Sequence, residues 1–290
     1  MPILLDGGMG QELVRRGYDS PVIWAARALM EAPTVVREAH EAFIDAGAEI
    51  ITTNTYSTVP KILARVGKAD RFGELVTLAR DLAREAASRK PGTLVAGSLP
   101  PLGSSYQADK VDSVADMRPI YDEMAGLLAP GVDLFLCETM TNAAQARVAA
   151  EAAAKTGKPV WVSWTIQDSG SNRLRSSETI RQALDALEGV TVEAALFNCC
   201  SPEAITGAIP ELRGETTRKV GGYANAFRPI ADDYSRDRDG RRALRQDVTP
   251  EAYANAADRW LTHGADIVGG CCGTGPEHIS LLRRTIDARG

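Results

Sequence analysis

Asp266-Ile267-Val268-Gly269-Gly270-Cys271-Cys272-Gly273-Thr274-Gly275-Pro276-Glu277 holds one complete unit of this chain's architecture. A short apolar run comes first, then glycines and polar side chains, then a proline and an acid that open a helix. The same succession recurs upstream. Further apolar runs stand at Ile3-Leu4-Leu5, Glu49-Ile50-Ile51-Thr52, Thr93-Leu94-Val95-Ala96, Leu134-Phe135-Leu136, Val160-Trp161-Val162-Ser163-Trp164, Ala195-Leu196-Phe197 and Lys219-Val220-Gly221-Gly222, which makes eight. Ser201-Pro202-Glu203 and Thr249-Pro250-Glu251 each offer an N-cap, a proline at the first helical position and an early acid. Thr34 to Ala46 places Val35, Val36, Ala39, Ala42, Phe43 and Ala46 on one face of a helix that Gly47 ends. Strands alternating with helices imply a parallel sheet, and eight units imply closure. The expected fold is α/β, a single (β/α)8 TIM barrel over residues 1–290 without a linker.

Composition narrows the function classes. An apolar fraction of 44% and a charged fraction of 24% are those of a soluble globular protein. Net charge is −5, the pI is near 5.4, and no Lys/Arg cluster interleaves with aromatics, which argues against nucleic-acid binding. No stretch approaches the roughly 18 uninterrupted apolar residues of a membrane span. Met1 to Asp6 carries only three large apolar residues before a charge, so no secretory leader is expected. Five cysteines without disulfide-scaffold spacing fit the reducing cytoplasm.

In such a barrel the reacting groups gather where strands end and the βα loops begin. The strand ends here read Asp6-Gly7-Gly8-Met9-Gly10, Thr53-Asn54-Thr55-Tyr56, Gly97-Ser98-Leu99, Cys137-Glu138-Thr139, Asn198-Cys199-Cys200, Tyr223-Ala224-Asn225 and Gly270-Cys271-Cys272-Gly273-Thr274. Neighbouring side chains of a strand face opposite ways, so Cys271 and Cys272 can share an ion only where the strand is ending. The flanking glycines allow that bend. Cys199, 72 residues before Cys271, adds a third thiolate that only the barrel can bring close. Cys137 and Cys200 read as core packing. Three sulfurs leave one position open on a zinc ion (Zn2+), the mark of a reacting site. With only three histidines, hydrolytic zinc chemistry is disfavoured. Three thiolates on zinc carry a net negative charge. A fourth thiol entering there would lose its proton yet stay electron-rich, which favours sulfur alkylation.

Asp6 and Glu138 share the rim. Either is commonly a cap for the next helix; together, with Gly7 and Gly8 admitting close backbone approach, they suit an α-ammonium group. Thr53 and Ser98 offer hydroxyl donors beside them. Trp24, Tyr56, Tyr106 and Tyr223 are core packing or, as a cage, a surface for a sulfonium or quaternary ammonium cation. Alternation puts Trp161 and Trp164 on opposite faces of strand five. The charged stretch from Arg228 to Asp247 is a solvated loop or a flap over the pocket.

Taken together, Asp-Gly-Gly-Met-Gly at 6–10, Thr-Thr-Asn-Thr-Tyr at 52–56, Glu138, Asn198-Cys199 and Gly-Gly-Cys-Cys-Gly-Thr at 269–274 resemble the homocysteine S-methyltransferase family nearly end to end. The resemblance implies a zinc-binding (β/α)8 barrel with Cys199, Cys271 and Cys272 as ligands. It implies homocysteine as acceptor, held by the residues matching Asp6, Gly7, Thr53 and Glu138. Only 18 residues follow Cys272, so the chain is most similar to the short members, which use S-methylmethionine and, as a lesser donor, S-adenosylmethionine. Many short members read Asn-Ser-Gly-Glu after the tyrosine of strand seven; here the chain reads Ala224-Asn225-Ala226-Phe227-Arg228. The expected activity is methyl transfer from a sulfonium donor to homocysteine, giving methionine. Selenocysteine as acceptor, betaine or a corrinoid protein as donor, and a non-catalytic zinc-binding barrel are the alternatives.

Overall fold

A computed structural model describes residues 1–229 and 243–290. Its strands, in chain order, are β1 (Ile3–Leu4), β2 (Ile50–Thr52), β3 (Leu94–Leu99), β4 (Leu134–Met140), β5 (Val160–Trp164), β6 (Ala194–Asn198), β7 (Lys219–Tyr223) and β8 (Ile267–Val268). All pair in parallel, in the order β1-β8-β7-β6-β5-β4-β3-β2. The ring closes between β1 and β2 through one bridge, Leu5 beside Ile50, where Asp6 N donates to Ile50 O at 3.0 Å. The chain therefore forms the expected (β/α)8 barrel.

The outer layer comprises α1 (Met9–Arg15), α2 (Ala26–Glu31), α3 (Pro33–Asp45), α4 (Pro60–Leu63), α5 (Phe72–Ser88), α6 (Val114–Leu128), α7 (Ala143–Ala154), α8 (Ile180–Asp185), α9 (Pro202–Glu215), α10 (Pro250–Thr262) and α11 (Pro276–Asp287). Ser201 Oγ accepts from Ala204 N at 3.2 Å to cap α9, and Thr249 Oγ1 accepts from Ala252 N at 3.3 Å to cap α10. Both caps satisfy amides that a helix start leaves without a partner. The inward stripe of α3 is turned from the expected one. Val36, Ala39, His40, Phe43 and Ile44 are buried, while Val35, Ala42 and Ala46 lie on its shoulder. His40 and Ile44 stand on the centre of that face. Gly47, at φ +106°, ends the helix in the left-handed region as expected.

Two apolar layers result. Leu5, Ile50, Ala96, Leu134, Leu136, Trp161, Leu196, Tyr223 and Ile267 fill the barrel interior. Trp164, Cys137 and Cys200 belong to the larger layer between sheet and helices. Strand alternation thus separates the two tryptophans as expected, and both cysteines outside the rim are core. Strands β3 and β4 run further than expected, so Ser98 and Glu138 lie within strands. The pairing of β4 with β5 shifts register between Cys137 and Met140, and Thr139 sits at φ +59°. A bulge of this kind re-aims side chains at a strand end.

Of the Arg228 to Asp247 stretch, residues 230–242 lie outside the described residues, and so does the expectation of a flap there. Its described flanks pair with each other: Phe227 bridges Leu244, and Arg228 N donates to Ala243 O at 3.0 Å. Among the described residues no helix is long and apolar enough to cross a membrane.

Candidate active site

The sulfurs of Cys199, Cys271 and Cys272 lie within 4.8 Å of one another at the ends of β6 and β8. All five cysteines are free. Cys199 takes φ +54°, which turns it off the strand path that carries Cys200 into the outer core. Gly273, at φ +86°, turns the chain directly after Cys272. Three thiols around one ion, at the about 2.3 Å of a zinc–sulfur bond, would stand about 3.8 Å apart. The observed cluster has room for that arrangement, and thiol donors suit a borderline-soft cation.

Polar groups converge on these sulfurs. The Tyr106 hydroxyl lies 3.0 Å from Cys199 Sγ, Asn225 Nδ2 approaches the same sulfur at 3.8 Å, and Asn198 Nδ2 approaches Cys271 Sγ at 4.0 Å. Asn198 is itself fixed, accepting from Thr139 N and Ser163 Oγ, each at 2.8 Å. Hydrogen bonds with Cys199 and Cys272, followed by burial, push the Cys271 thiol well above its usual range. Crowded sulfurs cannot all ionise alone, and a bound cation reverses that balance.

A cavity of about 250 Å³ opens in front of the cluster. Asp6, Gly7, Thr53, Glu138, Trp24 and Tyr56 all line it together with the three cysteines. Tyr106, Tyr223 and Phe227 line it too, and Arg65 is the one basic side chain among the described lining residues. Ser98 does not line it. Its hydroxyl donates instead to Glu138 Oε1, so Ser98 orients the carboxyl from behind and is no direct donor to the cavity. Its position inside β3 explains this, since the side chain points to the neighbouring β4.

Neither acid caps a helix. Asp6 accepts from Thr52 N at 2.8 Å and Thr52 Oγ1 at 3.0 Å. Burial raises Asp6 to about 7 against the hydrogen bonds from Thr52 that lower it. Burial likewise raises Glu138 to about 8, with the nearby Asp6 charge adding to it. A positive charge beside such carboxyls would favour their ionised form. Thr53 Oγ1 is paired with Thr55 Oγ1 at 2.9 Å and accepts from Ser98 N at 3.0 Å.

The glycines serve the protein's own packing as well. A Cβ on Gly8 would collide with the Cys271 carbonyl, and one on Gly7 would stand 2.7 Å from Phe43 and from the Thr274 carbonyl. The first strand end thus leans directly on the cysteine loop. Tyr106, Asn198 and Asn225 were visible at strand ends or in upper loops, yet no spacing rule ties them to the sulfurs. The Tyr223 hydroxyl is buried beside Glu138 and Ser163 without a well-formed hydrogen bond.

Comparison with known proteins places the whole chain beside one family. The profile of the family described as homocysteine S-methyltransferase matches residues 3–286. The chain is 32% identical to the homocysteine S-methyltransferase of Escherichia coli strain K12, over 97% of this chain and 94% of that protein. It is 27% identical to the selenocysteine methyltransferase of Astragalus bisulcatus, over 98% of this chain and 92% of that protein. The metallated crystal form of the homocysteine methyltransferase MmuM from Escherichia coli superposes with a TM-score of 0.81 at 28% identity, covering 100% of this chain and 96% of that one.

Proposed function

The chain belongs to the homocysteine S-methyltransferase family, and from that premise we propose that it moves a methyl group from S-methylmethionine to the thiol of homocysteine with the help of zinc. The observation that carries this reading is the trio of sulfurs, within 4.8 Å of one another, opening on a cavity that also holds two buried acids. Zinc held by Cys199, Cys271 and Cys272 would supply the acidity that makes the incoming thiol a thiolate near neutral pH.

The remaining roles fall to the chain's own groups. Asp6 and Glu138 receive the α-ammonium of homocysteine, whose charge draws their protons away and leaves both carboxylates paired. Ser98 holds Glu138 toward the cavity, and the unpaired Tyr223 hydroxyl offers a hydrogen bond to bound substrate. Trp24, Tyr56 and Phe227 line the remaining wall. Their rings attract a diffuse sulfonium charge by about 0.5–2 kcal/mol each and keep water out. The acceptor sulfur attacks the methyl carbon in line as the donor carbon–sulfur bond breaks. The donor leaves as a neutral thioether, and the proton lost is the one the acceptor thiol released on entry. An anion and a cation cancel in this step, so a water-poor cavity favours it. Holding both in line supplies the rest.

The test is a donor screen with zinc-loaded protein and homocysteine. Methionine should form fastest from S-methylmethionine, more slowly from S-adenosylmethionine and not from betaine. No methionine from either sulfonium donor would sink the reading. Turnover of selenocysteine alone, in competition with homocysteine, would replace the acceptor.

A further inference from the structure

The excursion between β5 and α8 carries a buried ion pair that the methyl-transfer reading leaves unused. Asp168 and Arg175 meet at 2.9 Å with side chains only 3% and 4% exposed. The second Asp168 oxygen accepts from Ser201 N at 2.7 Å, two residues beyond Cys199. The Arg175 guanidinium lies over the Tyr106 ring, 5.5 Å from its centroid. The Tyr106 hydroxyl in turn stands 3.0 Å from Cys199 Sγ. Against a thiolate only the hydroxyl can donate. Each contact leads to the next, and the last one ends on a cysteine of the cluster.

We propose that Asp168 and Arg175 are positioning residues that hold Tyr106 against Cys199, so that its hydroxyl donates to that sulfur and sets how the cluster binds its metal. This rests on the zinc reading above and adds to it a control of the Cys199 sulfur. A burial this complete needs a reason, because an arginine out of water is tolerated only where a partner fixes it. Asp168 does so from below and the ring from above. A cation over the ring draws electron density from it, which makes the phenol a stronger donor. Asp168 also bonds the backbone just beyond Cys199, so one carboxylate registers both the donor and the acceptor of the Tyr106–Cys199 contact.

The experiment uses the full chain loaded with Co2+, whose sulfur-to-metal charge-transfer band reports electron density at the thiolates, and zinc affinity from competition with a chromophoric chelator. Neither readout needs homocysteine or turnover. Tyr106→Phe removes one oxygen and should move the band to lower energy, because a sulfur that loses a donor gives up its electrons more readily. Zinc affinity should fall by on the order of 10- to 100-fold, as for other groups that orient a metal ligand. Arg175→Met should shift both in the same direction. The double variant should go no further than Tyr106→Phe alone, since Arg175 acts through Tyr106. If Tyr106→Phe, with unaltered circular dichroism, leaves band and affinity in place, the assignment is wrong while the zinc reading stands. Full additivity in the double variant also overturns it. A native protein with no cobalt–thiolate band overturns this assignment and the zinc reading together.

Discussion

Cys199 is held in a backbone conformation that a non-glycine residue adopts at a cost of order 1–3 kcal/mol. Its N–H reaches Tyr223 O at 3.2 Å and its carbonyl accepts from Thr165 Oγ1 at 3.4 Å. The strain turns one member of a doublet toward the cluster while Cys200 stays in the core. Cys199→Ser or Cys271→Ser should therefore abolish stoichiometric zinc binding, measured by metal analysis after dialysis, while circular dichroism stays that of the folded barrel. Gly8→Ala tests the leaning of the first strand end on the Cys271 carbonyl. It should weaken zinc binding by at least about 10-fold, the size typical of disturbing a ligand's surroundings. Glu138→Gln removes one charge of the proposed ammonium site, and such losses run at 2–5 kcal/mol or more. The KM for homocysteine should then rise by on the order of 30-fold or more, with a smaller fall in kcat measured at saturating acceptor.

Helix starts were legible because their signals are local. The Ser-Pro-Glu and Thr-Pro-Glu triplets open α9 and α10 as read, since a cap needs only a side chain and an amide three residues on. Thr249→Ala should lower stability by about 1 kcal/mol in urea unfolding and leave zinc affinity unchanged. Ser201→Ala should lose a similar amount and also weaken zinc binding, because it loosens the turn that carries Cys199. An equal zinc affinity in the two variants would disconnect the start of α9 from the cysteine cluster. The strand ends were less legible. Glu138 and Thr139 belong to the irregular pairing of β4 with β5, which depends on a neighbour some twenty-five residues away in the chain. Alternation along one strand carries no sign of it.

Across the whole molecule the buried titratable groups set opposing pH responses. His40 lies in the core with neither ring nitrogen partnered, and burial lowers it to about 3. Between its ordinary value of 6.5 and about 3 the unfolded chain takes up a proton that the native core refuses. Stability of the native protein relative to His40→Leu should fall as pH drops through that window, at up to about 1.4 kcal/mol per pH unit. Glu138 behaves oppositely. Its folded value is raised from 4.5 to about 8, so its contribution is complete below about 4.5 and is lost as pH rises toward 8. Relative to Glu138→Gln, the metal-free native protein should lose stability over that range in urea titrations. Parallel curves in either comparison would show that the group titrates normally. Zinc should add stability by mass action, raising Tm with free zinc concentration in the native protein and not in Cys271→Ser.

The order of apolar runs, glycine-bearing turns and helix starts already specified a barrel. Those signals act within a few residues, and eight repeats leave few other ways to bury the strands. It also specified which side chains stand at strand ends, and hence that thiols and acids share a rim. What tertiary structure alone decided is how those groups face one another. Ser98 lies behind Glu138, Gly8 lies against the Cys271 carbonyl, and the Asp168–Arg175 pair reaches Cys199 through Tyr106. These contacts join strands and loops distant in the chain. They follow from ring closure and a bulge in β4, and no periodicity within one segment encodes a distance between two.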